Sequence, residues 1–155
     1  IVKVNTKGWW VADIQYGRWD VRETAVRILK AAKDYRVNAV GIEKGALKNA
    51  VMPYMNDLMR RLNYYPRIEE LTHGNKKKTD RIVWSLQGRF EHGRIVLNEA
   101  DWNNKFIDQL MQFPDSKTHD DLIDAVSYID QIQVADWNQN LDEEEYEILD
   151  PVAGY

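Results

Sequence analysis

Three aspartates open one apolar helix, where Thr118-His119-Asp120-Asp121-Leu122-Ile123-Asp124 runs on into Ala125-Val126-Ser127-Tyr128-Ile129. Carboxylates beside an apolar face are costly unless something positive meets them. The free N–H groups and dipole of a helix start favour anions, and a hard divalent cation favours them far more. A further acid, Glu43, ends the apolar run Ala39-Val40-Gly41-Ile42. Acids converging from a strand end and a helix start would form an oxygen-donor metal site. At helical spacing Asp121 and Asp124 project on nearly the same face. That pair is the first choice of ligands, and Asp120 is retained beside it. Taken singly, the aspartates read equally well as helix caps and Glu43 as a strand-to-loop exit. The combination, with His119 adjacent, points to chemistry. Gly45 and Ala46, just after Lys44, leave room for a substrate backbone to approach.

A second group is basic: Lys76, Lys77, Lys78 and Arg81, followed by Arg89 and Arg94. Such a run is commonly a solvated face. As a loop leading into a helix it can instead hold phosphates, through lysine charge and helix N–H groups together. Other chemistries are excluded. With no cysteine there are no disulfides, thiolate sites or cysteine nucleophiles. His73, His92 and His119 lack zinc-site spacing. No phosphate-binding G-x-x-x-x-G-K-[ST] loop occurs, and neither Ser116 nor Ser127 has a nucleophile-elbow context.

The elements that must position these residues can be read from periodicity and breakers. Ile1–Val4 and Trp9–Tyr16 form a hairpin about an Asn5–Gly8 turn. Asp20, with Glu23 three positions on, caps a helix reaching about Tyr35. Ala39–Ile42 is a buried strand. Ala46–Leu62 is a helix in which Pro53 marks a kink or a delayed start. Arg67–Leu71 is a strand, and Thr79 caps a helix over Asp80–Phe90. Ile95–Leu97 is a short strand, Trp102–Phe113 a helix ended by Pro114, and the final helix runs from Thr118 to about Val134. Trp9, Trp10, Trp84 and Trp102 read as core or semi-core. This alternation predicts one α/β domain with a mixed sheet.

At 155 residues the chain can bury a real core. No apolar run is long enough to cross a membrane, so no membrane partner is expected. The net charge of -4 hides an asymmetry. Residues 136–155 hold seven acids and no base, leaving residues 1–135 with 18 acids against 21 bases. A mildly basic body, residues 1–135, thus carries an acidic tail, residues 136–155. The body permits a nucleic-acid partner, and the tail reads as a solvated end or a docking segment.

The blocks WWVADIQYGRWD, AVGIEKGA, KKKTDRIVWSLQGRFEHGRIVL and HDDLIDAVSYI stand in an order and spacing that resembles the C-terminal nuclease domain of phage terminase large subunits. These DNA-packaging enzymes have a ribonuclease H-like fold, a mixed sheet flanked by helices. The resemblance covers most of residues 9–132. It implies a metal-dependent endonuclease that cuts concatemeric duplex DNA, with two Mg²⁺ or Mn²⁺ ions held by Glu43 and by Asp120, Asp121 and Asp124. One ion would activate water and the other would stabilise the leaving 3′-oxygen. Lys76, Lys77, Lys78 and Arg81 would grip the DNA backbone. His119 would orient a phosphate or a ligand, and Lys44 is a second auxiliary candidate. Implied partners are double-stranded DNA, an N-terminal ATPase motor domain of the same protein, the portal and the small terminase subunit, in the host cell cytoplasm. The resemblance also implies a first strand bearing a catalytic aspartate ahead of the hairpin. This chain opens at the hairpin, so either that strand precedes the residues given or the site is incomplete; weak or absent activity is expected of these 155 residues alone, and full chemistry of the longer protein. A junction resolvase, a transposase-like nuclease and a degenerate, non-catalytic DNA-binding module are the rival readings.

Overall fold

The computed structural model describes residues 1–72, 74, 77–115 and 119–132. Lys76, Thr118 and the acidic tail lie outside the described residues.

Two strands, β1 (Val2–Asn5) and β2 (Gly8–Val11), pair antiparallel as the expected hairpin. Gly8 sits at φ +143°, and a Cβ there would lie 2.1 Å from the Arg94 carbonyl oxygen, so glycine is required for the close approach. That approach brings β5 (Ile95–Leu97) alongside β2 in parallel. The second hairpin strand is shorter than predicted, because pairing stops at Val11. Beyond it Ala12 and Asp13 turn back to the Ile1 carbonyl, and the Ile1 ammonium donates to the Asp13 carbonyl at 2.8 Å.

The helix α1 (Val21–Asp34) starts where the capping residue says it should. Asp20 is extended, and its carboxylate accepts from the Glu23 N–H at 2.7 Å. The strands β3 (Ala39–Glu43) and β4 (Arg67–Leu71) are parallel neighbours joined through α2 (Ala46–Leu62). Pro53 does not delay α2, which starts at Ala46 and runs through it. Pro53 is exposed, so water can serve the carbonyl whose intrahelical partner it removes. The helix α3 covers Lys78–Glu91, starting two positions earlier than predicted and ending one later, and no side chain caps it, so Thr79 has no capping role. Next come α4 (Asn103–Gln112) and α5 (Asp121–Ser127), with a further helical stretch at 129–132 after Tyr128.

The mixed α/β character is as expected, but the five strands do not form one sheet. They divide into β1-β2-β5 and β3-β4. Each sheet has its own core. Val11, Leu86, Phe106 and Ile123 centre one, built on β2, β5, α3, α4 and α5. Leu29, Ile42, Val51 and Met55 centre the other, between α1, α2 and β3. Both β1 and β3 line a cleft of about 1620 Å³.

Candidate metal and DNA site

Helices α3 and α5 meet along a polar seam. On α3, Lys78, Arg81, Ser85 and Arg89 fall at three- and four-residue spacing and so share one face. Lys78 Nζ lies 2.6 Å from Asp120 Oδ1 and 3.2 Å from Asp124 Oδ2. Arg81 Nη2 lies 2.5 Å from Asp124 Oδ1. The Ser85 hydroxyl donates to the Ser127 carbonyl at 2.9 Å, and Arg89 Nη2 meets Asp130 at 2.6 Å. Asp120, Asp124 and Asp130 are thus each met by a cation from α3.

Two of these cations are also set against rings. The Arg81 guanidinium lies 4.3 Å from the Tyr128 ring centroid and that of Arg89 lies 4.2 Å from Trp9. Arg81 is only 8 % exposed. Lys78 is different: its side chain keeps 40 % exposure at the open end of the seam. Burial alone would lower the Lys78 pKa, but hydrogen bonds and charge from Asp120 and Asp124 outweigh it and raise the value. A raised lysine stabilises the fold fully below its unfolded pKa of 10.5, and the contribution is lost only as pH rises through the higher folded value.

The aspartate pair that converges is Asp120 with Asp124. Asp121 stands apart at 79 % exposure, 3.9 Å from a still more exposed His119. The reason is the helix start. Asp120 is the cap residue, at φ −126°, and Asp124 donates its N–H to the Asp120 carbonyl at 2.9 Å. Residues four apart lie on one face, and Asp121 begins the helix on the face turned to solvent. Glu43 ends β3 and is exposed. Its charge reaches Tyr128, whose hydroxyl is raised foremost by burial and further by Glu43 and Asp124, against the opposing pull of Arg81 and Lys78. Glu43, at the end of β3, and Asp124, on α5, thus act on one hydroxyl.

The Asp120–Asp124 pair suits a hard cation. Two carboxylates from different residues already meet at one positive centre, and Mg²⁺ commonly takes one or two carboxylates with water filling the rest. Among the described residues, no three histidine or acid side chains converge as a metal-binding group. The donors described therefore fit one ion.

Other expected site residues fall elsewhere. Arg81 cannot grip a DNA backbone, since it is buried between Asp124 and Tyr128. Lys77 is exposed at the start of α3. Lys44 is turned to Glu70, 3.5 Å away, which Lys48 also holds. Trp84 is not core: it is 75 % exposed on α3, whereas Trp9 and Trp102 are buried.

A scan against protein-family models matches the terminase RNaseH-like domain over residues 1–130. The chain belongs to that family. No curated protein sequence matches it. Within this terminase domain two supports stand out only in the structure. Tyr128 lies four residues after Asp124, the spacing that lets it share a face with the acid, and its ring lies against Arg81. Gln109 comes from α4. Its buried carbonyl accepts from the N–H groups of Leu122 and Ile123 at 2.9 and 3.3 Å, so α4 caps the acidic helix from outside. Truncating Gln109→Ala leaves two buried donors without that acceptor and is expected to cost about 1–2 kcal/mol. Thermal melting followed by circular dichroism measures it.

Proposed function

We propose that this chain is the nuclease domain of a viral DNA-packaging terminase, cutting concatemeric duplex DNA by metal-dependent phosphodiester hydrolysis. The observation that supports it best is the meeting of Asp120 and Asp124 at one cationic centre, in a chain that belongs to the terminase RNaseH-like family. Asp120 and Asp124 would hold a divalent ion, and Glu43 would face it from the end of β3. Asp121, exposed beside them and turned to solvent, would stand outside that ligand set. When bound, such an ion supplies an activated water and neutralises charge on the phosphate. A second ion would need a further carboxylate beyond the pair that converges here. Arg81, set against the Tyr128 ring, holds Asp124 in place. Lys77 and the preceding loop would take the DNA phosphates, which fixes the duplex without reading its sequence. The ATPase motor, the portal and the small subunit remain the expected partners, and the host cytoplasm the expected setting.

A second reading, a DNA-binding module without catalysis, is favoured by the seam itself, because Asp120, Asp124 and Asp130 are all engaged by α3 cations. Cleavage of linear duplex and of four-way junctions by the complete protein, with Mn²⁺ titrated in, separates the readings. Mn²⁺-dependent cutting of linear duplex that Glu43→Ala removes is the expected result. Equal activity of wild type and Glu43→Ala, or no dependence on metal, would refute it. Strong preference for junctions would move the protein to the resolvases.

A further inference from the structure

We infer that Lys78 is a tethered stand-in for the metal, holding Asp120 and Asp124 together until a DNA phosphate draws its ammonium away. This rests on the metal-binding reading above and adds a control on when metal enters.

The two cations on these acids are built differently. Arg81 takes Asp124 Oδ1, is buried and is stacked on Tyr128. Its planar guanidinium is fixed on three sides. Lys78 takes Asp120 Oδ1 and the other Asp124 oxygen, and it is the more exposed partner. An ammonium on a flexible four-carbon stem is strongly hydrated and exchanges partners readily. Removing Lys78 from the acids leaves Asp124 anchored by Arg81, so the site keeps its shape.

Charge favours exchange over joint occupancy. Asp120 and Asp124 carry two negative charges, which Lys78 and Arg81 balance. Adding a divalent ion beside both would place three cations on two acids. Replacing Lys78 with the ion leaves one excess positive charge, which suits a phosphate. Lys78 is the first residue of α3, directly after exposed Lys77. A backbone phosphate at Lys77 would meet the Lys78 ammonium on its exposed side and offer it an alternative anion. DNA and metal would then load together.

The test is Mn²⁺ affinity of the complete, nucleotide-free protein, read by electron paramagnetic resonance with and without a short duplex. Lys78→Met is expected to bind Mn²⁺ roughly tenfold more tightly than wild type without DNA. Added duplex should tighten wild type and leave Lys78→Met nearly unchanged, and Lys78→Gln should repeat the pattern. If both variants bind Mn²⁺ no better than wild type while Asp124→Asn abolishes binding, the stand-in role is wrong and the metal site survives. If Asp124→Asn leaves Mn²⁺ binding intact, both readings fall together.

Discussion

Asp124→Asn in the complete protein is expected to cut duplex cleavage roughly 10³-fold, since a bound ion contributes several kcal/mol to transition-state charge stabilisation and each 1.36 kcal/mol is tenfold in rate. Asparagine keeps an oxygen for the Arg81 guanidinium, which lies 2.5 Å from Asp124. The melting temperature should therefore move much less than the rate. Asp121→Asn is the matched control. Its carboxylate is exposed and meets only His119 at 3.9 Å. A loss within about threefold is expected there. Cleavage kinetics of both variants at saturating Mn²⁺ decide the matter. A larger loss at Asp121 than at Asp124 would show that the ligand pair is the one suggested by helical spacing, and that the α3 seam is purely structural.

The second large effect is on stability. Arg81→Met removes the buried partner of Asp124 while keeping much of the apolar stem over Tyr128. Breaking a buried pair on one side leaves an uncompensated charge and costs about 3 kcal/mol. For a chain of this length that lowers the melting temperature by roughly 6–12 °C. The double variant Arg81→Met, Asp124→Leu should recover most of it, because the stranded charge is gone. Arg81→Lys should be poorly tolerated, since an ammonium cannot reproduce the planar stack. Equal melting temperatures for wild type and Arg81→Met would mean that Lys78 and solvent suffice for Asp124 and that the buried Arg81 pair adds no stability.

Local signals carried much of this fold. Asp20 with Glu23 marked the start of α1, the turn at Asn5–Gly8 marked the hairpin, and Glu43 does end a strand. The missed features depend on residues far apart in the chain. Helix periodicity alone placed Asp121 with Asp124. The helix start selected Asp120 instead, and that start is fixed by Gln109, 13 residues earlier than Leu122. Arg81 reads as a surface cation until α5 is laid against α3. The division into two sheets was equally out of reach, since strand pairing between distant segments leaves no local mark. Residues Lys76 and Thr118, and the acidic tail, lie outside the described residues.

The division of the core has a consequence for the chemistry. Glu43 is carried by the β3 body, and Asp120 and Asp124 by the β2 body. Between the two, Gln131 exchanges paired hydrogen bonds with the Thr72 backbone at 3.1 and 2.8 Å, and Ile132 rests where Gly41 has no Cβ. The reach from Glu43 to the Asp120–Asp124 pair therefore depends on those few contacts between the sheets and not on the packing within either core.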